Sequence, residues 1–84
     1  MQKQIIFFKG SNCTPCKMVE PAMERIKEKY KGTVQYVRAV DDTVWMANFG
    51  IRSVPAVVVI DGDKEPTILL GKDITTAKIE ALIS

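Results

Sequence analysis

Ile5-Ile6-Phe7-Phe8-Lys9-Gly10-Ser11-Asn12-Cys13-Thr14-Pro15-Cys16-Lys17-Met18 is the stretch from which the rest of the chain can be read. Its first four residues form a continuous apolar, β-prone run, and Lys9 to Asn12 end it with turn formers. That is the pattern of a strand buried on both faces, and so central in its sheet. Beyond the turn, Val19, Ala22, Met23, Ile26 and Tyr30 fall at helical spacing, with Ser11 or Asn12 available as N-cap and Gly32 placed to end the helix. Both cysteines therefore stand at the start of a helix that follows a central strand.

Working outward, Thr33 to Val40 alternates apolar and polar residues up to Asp41-Asp42, which predicts a second strand, parallel to the first across a right-handed helical crossover. Asp42 or Thr43 is placed to cap a short helix over Val44 to Phe49, with Gly50 as its stop; Trp45, Met46 and Phe49 are assigned to the core. A loop over Ile51 to Val54 leads to a third strand, Ala56 to Ile60. Asp61-Gly62-Asp63 is read as a hairpin turn and Thr67 to Leu70 as an antiparallel fourth strand, at an edge because Pro66 opens it. Thr75 or Thr76 caps a last helix with an apolar stripe of Ile79, Leu82 and Ile83. The class is α/β, and without internal repeats or linkers residues 1–84 are read as a single domain.

Composition excludes several functions. Twelve Lys and Arg against ten Asp and Glu leave a net charge of +2, too near balance to point to nucleic acid. The basic residues Lys17, Arg25, Lys27, Lys29 and Lys31 interleave with Glu20, Glu24 and Glu28, so they read as a solvated helix face with mixed-sign pairs. No apolar run approaches the ~18 residues of a membrane span, so a soluble protein is expected, with no membrane partner. The opening Met1-Gln2-Lys3-Gln4 runs straight into a strand without a secretory leader's apolar stretch, from which a cytoplasmic address is expected.

The two cysteines, Cys13 and Cys16, are the only ones, and the chain has no histidine. A structural zinc site wants four Cys or His ligands, so this pair would need a dimer or carboxylates to complete a shell. A Cys-His hydrolase lacks its base. Two cysteines separated by two residues at a helix start can form a reversible disulfide, with the first thiol exposed and the second tucked toward the turn. Unpaired N–H groups and the positive end of the helix dipole favour thiolate at Cys13, the species that attacks a disulfide sulfur; Cys16 then resolves the mixed disulfide. By itself a C-x-x-C is equally compatible with an inert disulfide or two buried thiols, but beside a βαβ unit it is a redox signature.

Asn12-Cys13-Thr14-Pro15-Cys16-Lys17-Met18, with Pro21 five positions beyond Cys16, resembles the active-site helix of the thioredoxin family, and Phe49-Gly50-Ile51-Arg52-Ser53-Val54-Pro55-Ala56-Val57 resembles that family's segment leading into its cis-proline strand. The resemblance covers most of the chain. It implies the minimal thioredoxin fold, βαβαββα, a four-stranded mixed sheet with helices on both faces. It also implies reduction of protein disulfides by dithiol exchange without a bound cofactor or metal, electrons coming from NADPH through a thioredoxin reductase. A monomer is expected, and family analogy adds ribonucleotide reductase as a candidate partner.

By the same resemblance Pro55 follows a cis bond, abuts the cysteine pair and leaves the Val54 backbone to bind an extended substrate. Asn12, Thr14, Pro15 and Gly71 complete the implied docking surface, and Pro21 bends the helix. The chain also departs from the family pattern. Asn12 and Thr14 stand where the family has tryptophan and glycine, and Phe7 replaces the buried aspartate that assists proton transfer to the resolving thiol. Arg38 and Asp41 are candidates to alter the local field. The short architecture also keeps open a glutaredoxin-like, glutathione-dependent oxidoreductase, whose glutathione-binding turn Gly71-Lys72-Asp73 faintly resembles, and, since fold does not fix function, a binding module without turnover is a further alternative.

Overall fold

The computed structural model describes residues 3–84; Met1 and Gln2, which enter the reading of the N-terminus, lie outside the described residues. The elements are β1 (Lys3–Lys9), α1 (Thr14–Lys29), β2 (Val34–Val40), α2 (Thr43–Asn48), β3 (Ala56–Asp61), β4 (Thr67–Leu70), a 3-10 turn (Gly71–Asp73) and α3 (Thr76–Ile83). The sheet order is β2-β1-β3-β4. β1 pairs parallel with β2, Phe7 opposite Arg38, and antiparallel with β3, Phe7 opposite Val57. β4 runs antiparallel to β3. The sheet is mixed and β1 is internal, as its unbroken apolar run requires.

Because successive strand residues point to opposite faces, β1 and β3 each feed two cores. Ile5, Phe7, Val57 and Val59 meet Met23 and Ile26 of α1 and Ile79 and Ile83 of α3 on one face. Ile6, Phe8, Ala56 and Val58 meet Met46 of α2 and Ile51 on the other, with Trp45 and Phe49 packed against them. Phe8 lies at the centre of that second core, edge-on to Trp45 at 5.4 Å and tilted against Phe49 at 6.1 Å. Burying each such side chain contributes about 1.5–3 kcal/mol. Among the described residues no polar or charged side chain is buried, and no helix is long and apolar enough to cross a membrane.

Several boundaries differ from the sequence expectation. The cap of α1 is Cys13, not Ser11 or Asn12, and its C-cap is Tyr30, not a residue beside Gly32. Gly32 instead takes a φ of +88° in the turn to β2, where Thr33 also belongs, its N–H and hydroxyl both donating to Tyr30 O. Asp42 caps α2 by accepting from Trp45 N–H at 3.0 Å, and Thr75 caps α3 by accepting from Lys78 N–H at 3.1 Å. α1 runs through Pro21 as one helix, although that residue offers no N–H to the Lys17 carbonyl. The charges of α1 do not pair along its own face: Glu20 pairs with Lys9 of β1, and Lys29 with Glu80 of α3. Glu80 Oε2 also accepts from the Tyr30 hydroxyl at 2.8 Å, so the carboxylate bolts α1 to α3. These two donors hold Glu80 below the usual carboxylate range.

Candidate active site

β1 ends at Lys9, and the turn Gly10 to Asn12 delivers Cys13 to the first turn of α1. Cys13 has extended backbone angles, as an N-cap must, and its sulfur accepts from Cys16 N–H at 3.2 Å. A sulfur in the capping position receives one of the donors that a helix start leaves unpaired. Pro15 fits the first turn because a missing N–H costs nothing there. Cys13 and Cys16 form a disulfide with Cα atoms 5.3 Å apart, Cys13 partly exposed and Cys16 wholly buried. One sulfur therefore faces solvent and its partner is reachable only through it. No acidic residue lies in the first turn to oppose thiolate there.

The Val54–Pro55 peptide bond is cis, and Pro55 is buried. Gly71, at a φ of +53°, donates its N–H to Pro55 O at 3.2 Å, which fastens the 3-10 turn beneath the proline. Pro15, Met18, Val19, Pro55, Gly71 and Lys72 line a shallow, almost wholly apolar groove beside the disulfide. Of the residues assigned to docking, Pro15, Pro55 and Gly71 meet in this groove. Val54 instead packs against Gly10, and Asn12 and Thr14 are exposed on either side of Cys13. Met18, Val19 and Lys72 were missed. Pro15, Met18 and Val19 follow the i, i+3, i+4 spacing of one helix face, a signal present in the sequence. Met18 is 78% exposed, an unusual position for a large apolar side chain.

Phe7 is buried in the core between the sheet and the α1/α3 pair, surrounded by hydrocarbon, so no carboxylate stands at that position. Arg38 faces a surface cleft with Glu24, Lys27 and Tyr36, two helical turns beyond Cys16, where burial pushes the Tyr36 hydroxyl up to about 12. Asp41 does reach the site: its Oδ1 accepts from Ser11 N–H at 3.0 Å. Hydrogen bonding from Ser11 holds the Asp41 carboxyl below its ordinary value.

The sequence model of the thioredoxin family matches residues 1–84. The chain belongs to the thioredoxin family. It is similar to Thioredoxin 1 of Nostoc sp., with 31% identity over 61 residues, 70% of this chain and 57% of that protein. It is likewise similar to the thioredoxin of Borreliella burgdorferi, with 29% identity over 69 residues, 80% of this chain and 59% of that protein. The chain thus spans a little over half the length of these curated relatives. Among solved structures, chloroplastic thioredoxin z superposes with a TM-score of 0.80 over 98% of this chain and 75% of that one, at 23% identity. Fasciola hepatica thioredoxin gives 0.79 over 98% and 78%, at 20% identity. At these identities the likeness is one of fold.

Proposed function

We propose that this thioredoxin-family chain reduces protein disulfides by dithiol exchange. In the reduced form the Cys13 thiolate attacks a substrate sulfur, the substrate S–S bond breaks, and its leaving thiolate takes a proton from water. Cys16 gives its thiol proton to the hydroxide so formed, and the resulting thiolate attacks Cys13 Sγ in the mixed disulfide, breaking its bond to the substrate and releasing the second substrate thiolate. Two electrons pass to the substrate and the Cys13–Cys16 disulfide remains. The observation that carries this is the asymmetry of the pair: a partly exposed sulfur at a helix N-cap bonded to a wholly buried one, beside an apolar groove.

The groove offers Pro15, Met18, Pro55 and Gly71 to apolar substrate residues, and among the described residues Val54 makes no backbone hydrogen bond, which leaves its N–H and C=O for an extended peptide. NADPH, through a thioredoxin reductase, supplies the electrons. We place the protein in the cytoplasm, acting as a monomeric single domain on protein substrates. Ribonucleotide reductase stays a candidate among them by family analogy alone. The glutaredoxin-like and non-catalytic readings are not favoured, given the family match and the thiol pair.

The test is insulin reduction followed in parallel with thioredoxin reductase plus NADPH and with glutathione plus its reductase. Turnover with the first is expected. Turnover with glutathione alone overturns the proposed electron source, and a disulfide that no dithiol reduces overturns the redox function.

A further inference from the structure

Asp41 is the only described residue other than glycine with a positive φ, +54°. That conformation is strained for a residue with a Cβ, though aspartate tolerates it best together with asparagine. What holds it there is the turn before Cys13. Asp41 N–H donates to Lys9 O at 2.9 Å, and its Oδ1 accepts from Ser11 N–H at 3.0 Å, so one residue grips both ends of Gly10. A methyl built on Gly10 would stand 3.3 Å from Cys13 Cβ, 3.5 Å from Val54 Cγ2 and 3.6 Å from Asp41 Oδ1. The carboxylate, the nucleophile's side chain and the residue before Pro55 therefore converge on a single point.

We propose that Asp41 is a positioning residue for Cys13: it latches the turn that carries the nucleophile, and its negative charge, held close to the Cys13 side chain, opposes the thiolate that the helix N-terminus favours. This rests on the assignment of Cys13 as nucleophile. The other charged groups on the surrounding elements are Lys17 on α1, Arg52 before the cis bond, Lys72 in the groove, Asp42, and the Lys9–Glu20 pair. Asp42 is turned away to cap α2, and Lys9 and Glu20 neutralise each other. Asp41 thus supplies the carboxylate that α1 lacks in its own first turn. Its charge shifts ionisation of Cys13 to higher pH.

The experiment measures the pH dependence of iodoacetamide alkylation of Cys13 in the reduced protein, located by peptide mass, for wild type, Asp41→Asn and Asp41→Gly. Asparagine keeps the acceptor oxygen and tolerates positive φ, so only the charge is lost. Glycine keeps the backbone and loses both charge and latch. Asp41 Oδ1 and Cys13 Cβ stand 3.6 and 3.3 Å from the same point on Gly10, so no more than about 7 Å apart; two charges at about that separation in near-aqueous surroundings interact by about half a pKa unit, so the Asp41→Asn midpoint is expected about that much lower. The gap is expected to close in about 1 M salt, where screening acts within a few ångströms. Slowed Ser11 amide exchange is expected in wild type and Asp41→Asn and lost in Asp41→Gly.

An Asp41→Asn midpoint that stays put or rises, or a gap that survives high salt, overturns the electrostatic role. Equal Ser11 exchange in all three proteins overturns the latch. If Asp41→Asn does not fold, the Asp41→Gly midpoint decides the charge effect by the same criterion. Alkylation requires no turnover, so a failure to reduce insulin would count against the proposed function and leave the comparison at Asp41 intact.

Discussion

Phe7→Asp restores to β1 the carboxylate that the family commonly carries there, and it is expected to unfold the protein rather than speed it. Phe7 is 1% exposed, packed among Met23, Ile26, Val57 and Ile79, with no polar side chain buried nearby to receive a carboxyl group. Losing the aromatic side chain costs about 3–5 kcal/mol, and burying an unpartnered carboxyl about 1–3 kcal/mol more even when it is protonated. Set against a total stability of roughly 4–13 kcal/mol for a chain of this size, that is most of what holds the fold. The penalty depends on pH with a definite sign. Burial raises the folded-state pKa above the unfolded value of about 3.9, so the native state binds more protons and stability falls by up to ~1.4 kcal/mol per pH unit above it. Urea unfolding at pH 4 and pH 7, with Phe7→Leu as a control expected to lose only about 1–1.5 kcal/mol, is the assay. A Phe7→Asp protein within about 1 kcal/mol of wild type at pH 7 would refute the hydrocarbon account of this position.

Cys13→Ser is expected to abolish insulin reduction, whereas Cys16→Ser accumulates a mixed disulfide through Cys13 that dithiothreitol releases; normal turnover by Cys13→Ser would sink the assigned order of attack. Gly10→Ala forces Cys13 Cβ to give by a few tenths of an ångström, and insulin turnover at unchanged secondary structure is expected to fall roughly threefold by misplacing the sulfur. Asp42→Ala removes the cap of α2 and is expected to cost about 1 kcal/mol, readable by the fluorescence of Trp45, the sole tryptophan. Glu80 is held below its ordinary value by Lys29 and Tyr30, so its contribution is complete above the unfolded glutamate pKa and lost as pH falls through the lowered folded one. The difference in thermal midpoint between wild type and Glu80→Gln is therefore expected to shrink in acid, and a constant difference would remove the ion-pair explanation.

Local chemistry was legible in the residues themselves. Ile5 to Phe8 announced an internal strand because every position is apolar, and a strand needs that only when both its faces are covered; Ala56 to Ile60 was read as a strand, and the sheet order places it internally as well. Asp42 and Thr75 stood where an oxygen could reach an N–H three residues on, and they do so. The pair at Cys13 and Cys16 followed from the turn and the helical spacing around it. The N-cap itself was misplaced, because the rules for capping rank oxygens and give no place to a sulfur that is also disulfide-bonded. The pairs along α1 were misassigned for a related reason: spacing identifies neighbours on a helix but not the Lys9 or Glu80 that an adjoining element brings closer.

Sequence alone determined the elements, their order, the internal place of β1 and the cysteines at a helix start, since each depends on residues a few positions apart. What surrounds Cys13 was implied only by the family resemblance, and tertiary structure decided it. Asp41 reaches Ser11 across 30 residues because β2 lies parallel to β1 and both end together, and Val54, Pro55 and Gly71 arrive because β3 and β4 close the other side of the same sheet. Strand register sets these meetings, and register is a property of the packed sheet, with its alternating faces buried in two cores, that no short stretch of the chain contains.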